Sequence, residues 1–133
     1  MDDQDYEGFT ALAHAAIHGM SVSMQMLLER GANPYTLTNM ASNLLLLAVI
    51  SGCPEAVQVV LPLNISINAS NVYDEIPLHM SLRDTTLRIP KMLLAHGADV
   101  NIRLDDYFTP LMFVSLRSSW TTIKLFLDHG ASI

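Results

Sequence analysis

His14 and His18 stand four residues apart, so a helix sets both imidazoles on one face, as in a two-histidine metal site. A complete site needs further donors, and no carboxylate or third histidine stands beside them at ligand spacing. The pair is therefore read as two residues of one helix face. Cys53 is the only cysteine, and no histidine neighbours it in sequence. Pairing it with His18 across the fold would make a thiol and a base, yet a nucleophile also needs an oxyanion hole and a cleft. Nothing in the pattern supplies either. His96 and His129 each precede a glycine at the end of an apolar run, where a cation faces a helix C-terminus favourably. The methionines, including Met24, Met26 and Met92, read as core filler rather than a copper site. With no phosphate loop, paired-carboxylate motif or serine elbow, no catalytic residue, metal or cofactor is expected. The chain is read as a non-enzyme.

Composition narrows the partners. Half of the 133 residues are hydrophobic and 15% are charged, which excludes a disordered acidic tail. The net charge is -6, and the first ten residues carry Asp2, Asp3, Asp5 and Glu7 without a base, so nucleic acid is not an expected partner. A lone cysteine fits a reducing compartment, the N-terminus does not read as a signal peptide, and the longest apolar run, Leu44 to Ile50, is too short to span a membrane. A cytoplasmic or nuclear location is expected. The sequons at Asn64 and Asn68 are read as chance occurrences.

What positions these residues is a period. MLLAHGADVN, from Met92 to Asn101, returns at 33-residue spacing as MLLERGANP from Met26, as LFLDHGAS from Leu125 and, worn, as VVLPLNIS from Val59. Two columns keep leucine throughout: Leu12, Leu45, Leu78 and Leu111, then Leu28, Leu61, Leu94 and Leu127. A period of this length is the mark of a repeat array whose units stack on their neighbours. Within a unit the signals give two helices. Thr10 is the expected N-cap of a helix over Ala11 to Ile17, and Gly19 breaks it; a second helix starts at Ser21 or Val22, runs to Arg30, and has Gly31 as its left-handed cap. Pro54 suits the first turn of a helix, and Pro90 predicts that the second helix of the third unit starts late, near Ile89. Asn64 stands in the glycine column and tolerates the left-handed turn better than most residues.

The strings DYEGFTALAHAA, IPLHMSL with MLLAHGADVN, and TPLMFVS with LFLDHGAS resemble the ankyrin repeats, over the chain from about Asp5 to Ile133. The resemblance implies an all-α repeat solenoid of helix-loop-helix units joined by short β-hairpin loops. It divides residues 1–133, read as a single domain, into repeats at about 5–37, 38–70, 71–103 and 104–133. The family's Thr-Pro-Leu-His signature is complete nowhere; it stands as TALA, NLLL, IPLH and TPLM. His79 keeps the structural histidine column, and the register puts His14 in a half-buried column and His18 in an exposed one.

The resemblance further implies binding of another protein through the hairpin tips and the concave face of the first helices. The expected contact residues are Tyr6, Glu7, Phe9, Met40, Tyr73, Glu75, Asp105, Asp106 and Phe108 at the tips, with His18, Arg83 and Arg117 closing the first helices. Phe9 and Phe108 are equally consistent with packing beneath the tips. Aromatics beside acids suit a basic or amphipathic partner segment. The last unit presents Ile123, Leu125, Phe126 and Leu127 without a polar cap, so the chain is expected to continue in a longer protein. The alternative is a structural fragment whose apolar ends self-associate or dock on neighbouring domains.

Overall fold

A computed structural model describes residues 2–102, 111–112 and 120–132. The repeat appears as helix pairs: α1 (Ala11–Ile17) with α2 (Ser21–Glu29), α3 (Leu44–Ser51) with α4 (Pro54–Val60), and α5 (Pro77–Met80) with α6 (Arg88–Ala95), followed at the register of the second helices by α7 (Trp120–Asp128). No strand forms among the described residues; the connectors are closed turns.

Each first helix is set by the residue before it. Thr10 and Asn43 share φ -84° and ψ 171°. The Thr10 hydroxyl accepts from the Ala13 N–H at 3.1 Å and the Asn43 carboxamide oxygen from the Leu46 N–H at 2.9 Å, satisfying a donor the helix leaves open. Ile76 has no such oxygen, and Pro77 at the first helical position instead removes a donor that would need a partner.

The second helices stop on a left-handed residue. Gly31, Gly97 and Gly130 have φ of 91°, 89° and 91°. The alanines that follow return an N–H to the carbonyl five residues back at 3.0 Å, to Leu27, Leu93 and Phe126 respectively. Unit two departs: Pro62 has no N–H to continue α4, the chain tightens into a 3₁₀ turn at Leu61–Leu63, and Asn64 takes the left-handed place at φ 57°. Unit three departs at the other end of its helix. Leu87 adopts φ 61°, α6 begins at Arg88, and Pro90 falls within the first turn.

Stacking follows the same register. First helices pack on first helices, α1 on α3 and α3 on α5, and second helices on second helices, α2 on α4 and α4 on α6. The core between them holds Leu12, Leu45 and Leu78 from the first leucine column, all at most 2% exposed, with Met24, Val57, Ile89, Leu93 and Phe126. Truncating one of those leucines to alanine leaves a cavity and costs about 2–5 kcal/mol. The second column is buried unevenly, since Leu28 and Leu61 are half-buried and Leu127 is exposed. Met26 is not the core residue its column suggests. It is 57% exposed, whereas Val59 and Met92 at the same register are half-buried; among the described residues α2 packs mainly on one second helix, α4, whereas α4 packs on both α2 and α6.

Polar bonds of one kind recur at 33-residue spacing, and those of Asn68 and Asn101 tie successive units. The Asp2 carboxylate accepts from the Asn33 N–H, the Asn68 carboxamide from the Asp99 N–H, and that of Asn101 from the Ser132 N–H, at 2.9, 2.9 and 2.7 Å. Tyr35 stands where unit two would carry the same residue, and its hydroxyl donates to the Leu63 carbonyl at 2.8 Å.

Candidate functional site

The tips are built by three residues 33 apart, Asp5, Thr38 and Asn71. In each tip the first residue's N–H donates to the carbonyl four residues on: Asp5 to Phe9, Thr38 to Ser42, Asn71 to Glu75, at 3.0 to 3.2 Å. Side chains tighten the turns. One oxygen of Asp5 accepts from the Glu7 and Phe9 N–H groups, and the Asn71 oxygen accepts from those of Tyr73 and Glu75. The Phe9 N–H and then the His14 ring hold the Asp5 carboxyl below its ordinary pKa.

Neighbouring tips are joined backbone to backbone. The Asn39 N–H donates to the Glu7 carbonyl and the Val72 N–H to the Met40 carbonyl, both at 2.9 Å. Gly8 permits the first of these contacts. It lies at φ 82°, and a Cβ there would come within 2.6 Å of the Asn39 nitrogen.

Along this row Tyr6, Glu7, Met40, Val72 and Tyr73 are exposed, Tyr6 completely and Tyr73 at 65%. Two of the expected contact residues behave differently. Phe9 is half-buried with its ring 5.0 Å from that of His14, so it supports the tip from beneath. Glu75 is half-buried too, its carboxylate accepting from the Asn71 amide at 2.8 Å. Asp105, Asp106, Phe108 and Arg117 lie outside the described residues.

His14 is exposed rather than half-buried, because the tip supplies it with a partner. Its Nε2 lies 2.7 Å from the Asp5 carboxylate, a carboxylate that spacing along the helix could not reveal. His18, His96 and His129 share one device: the Nδ1 of each donates to the carbonyl four residues back, of His14, Met92 and Leu125, at 2.8 to 2.9 Å. A carbonyl can only accept, so Nδ1 carries the proton and Nε2 points away from the helix end. Among the described residues no group of three metal-ligating side chains converges. Cys53 faces Glu55, the thiol donating to its carboxylate at 3.3 Å, and the same carboxylate lies 3.6 Å from Arg88.

At the ends of the first helices, a groove of about 240 Å³ between units two and three is lined by Val49, Ile50, Met80, Arg83, Asp84 and Ile89. Arg83 is exposed there. Asp84 is committed elsewhere: its carboxylate accepts from the Ile89 and Thr86 N–H groups, each at 2.9 Å, and from the Thr86 hydroxyl. Burial works against its charge, but these donors outweigh burial and leave its pKa lowered.

Among the described residues, His79 is the one strongly shifted group. It is 6% exposed, and burial pushes its pKa down to about 4, so it is neutral in the folded chain near neutral pH. No helix among the described residues is long and apolar enough to cross a membrane.

No protein-family model matches the sequence. Over 135 residues it is 28% identical to the transient receptor potential cation channel subfamily A member 1 of Drosophila melanogaster, covering 97% of this chain and 11% of that protein. Over 130 residues it is 28% identical to the putative ankyrin repeat protein L371 of Acanthamoeba polyphaga mimivirus, covering 97% and 17%. Over 76 residues it is 30% identical to the putative ankyrin repeat protein FPV244 of Fowlpox virus, covering 57% and 11%. The chain thus spans between 11% and 17% of the length of these relatives.

Proposed function

Because the chain is an array of ankyrin repeats, we propose that it is a protein-interaction module rather than an enzyme, and that the row of tips is its contact surface. The observation that carries this reading is the alignment of exposed Tyr6, Met40, Val72 and Tyr73 on turns fastened to one another through the backbone. A preordered row loses little conformational entropy when a partner docks. Tyrosine gives large contact area with few rotamers to freeze. Glu7 and Asp74 beside these side chains suit a partner segment that is basic or amphipathic. His18 and Arg83, exposed at the ends of the first helices, extend the surface along the concave side, and Glu75 and Phe9 act beneath it as supports.

The test is titration with a labelled amphipathic peptide of lysine and leucine. Wild-type protein should bind it saturably, and Tyr6→Ala with Tyr73→Ala should weaken binding about ten-fold, as truncation of interface anchors does, with the melting midpoint unchanged. Equal binding by the double variant would sink the reading.

A second reading is favoured by Val22 and Met26, 67% and 57% exposed four residues apart on α2, and by Leu127, 41% exposed on α7. In it, these ends dock on a neighbouring domain or on one another. Light scattering over a concentration series separates the two, since a strict monomer argues against self-association. The division into four repeats within one domain belongs to the same proposal.

A further inference from the structure

Charge is segregated along the array. Residues 1–82 hold eight acids and one base, whereas residues 83–133 hold five acids and six bases. Two of those bases, Lys91 on α6 and Lys124 on α7, line an open groove of about 270 Å³ between these two helices. Neither lysine lies within salt-bridge distance of a carboxylate among the described residues. Trp120, 70% exposed, lines the groove with Leu87 and Leu125, and Asp128 is the one acid among the described lining residues, against the two lysines.

Two features distinguish this groove from ordinary surface. A tryptophan this exposed leaves a large apolar area in water, and tryptophan is among the side chains enriched as interface anchors. Leu87 is held at φ 61°, ψ 14°, a left-handed conformation that L-residues with a side chain rarely adopt, and it lines the groove. Strained residues of this kind gather at binding sites, where the surrounding structure holds them.

We propose that this groove docks an acidic protein segment carrying apolar side chains, with Trp120, Leu87 and Leu125 taking the apolar groups and Lys91 and Lys124 the carboxylates. Charge complementarity selects the occupant. A basic segment meets two lysines here, and an acidic one is repelled from units one and two, so the field of the molecule directs it to this end. The site lies on the second helices, apart from the tips, and does not depend on the tip reading.

Trp120 is the only tryptophan in the chain, so its fluorescence reports on the groove alone. A peptide of mixed glutamate and leucine, titrated into the intact chain, should shift Trp120 emission to the blue with saturation. Added salt should weaken the binding. Lys91→Glu with Lys124→Glu should weaken it about ten-fold, the scale of losing contacts to two charged groups, and Tyr73→Ala at the tips should leave it unchanged. The proposal is overturned if the glutamine-leucine or lysine-leucine analogue shifts Trp120 emission to the same extent at the same concentrations, or if charge reversal changes nothing. It is overturned also if the emission shifts with protein concentration alone, which would give the groove to a second copy of the chain.

Discussion

At Asn64 an L-residue does what glycine does in the other three units. The left-handed turn it closes costs most side chains about 1–2 kcal/mol, and asparagine less, because its short polar group hydrogen-bonds locally. Asn64→Gly should therefore hold stability or raise it slightly, while Asn64→Val should lower it by about 1–2 kcal/mol in urea unfolding; equal midpoints for the two variants would contradict the assignment. Gly8 is under a stricter demand, because positive φ and closeness to the next tip coincide there. Gly8→Ala must move the Asn39 backbone, so the Asn39 amide should exchange with solvent faster. The fold should lose about 2 kcal/mol, the scale of a strained residue with a steric conflict. Unchanged exchange at Asn39 would show that the tips are not fastened through this contact.

Among the helices, α6 has the least conventional start. Leu87, in the left-handed region, offers no side-chain cap, and Asp84 reaches over it to hold the Ile89 N–H. Asp84→Ala should cost about 1–2 kcal/mol, as loss of a capping carboxylate does, and should fray the first turn of α6 in hydrogen exchange. Asp84→Asn, which keeps an acceptor, should recover part of that loss; no difference between the two would remove the capping role. The late start of α6 is legible from Pro90, and α1 from Thr10 and Gly19, because those signals act within one turn of the chain. Three things are not legible. The capping role of Asp84 is hidden because its bond spans a left-handed residue that no local pattern announces. Met26 reads as core because periodicity tells which face a residue occupies, not whether another helix covers that face. The contact of His14 with Asp5 and the Asp2, Asn68 and Asn101 ladder depend on how turns and units meet in space.

For the molecule as a whole, His79 couples folding to pH. It is buried in the first helix of unit three, and its pKa falls from 6.5 to about 4 because burial disfavours the cation. Between these two values the unfolded chain binds a proton that the folded chain does not, so stability rises with pH across that window. The contribution is complete above the unfolded value, declines as pH falls, and is lost once the folded histidine also protonates near pH 4. One proton gives at most about 1.4 kcal/mol per pH unit. Asp84, Asp5 and Glu55, whose carboxyl pKa values are lowered, keep their contributions above the usual carboxylate range and lose them as pH falls through that range and below it. Because stacked units stabilise one another through their interfaces, the His79 term should appear in the cooperative unfolding of the whole array. Urea unfolding between about pH 7 and pH 4 should show a falling midpoint in the wild type. In His79→Leu, which keeps an apolar side chain in the site, the midpoint should stay nearly flat across that window. A parallel decline in both proteins would place the pH dependence on another group.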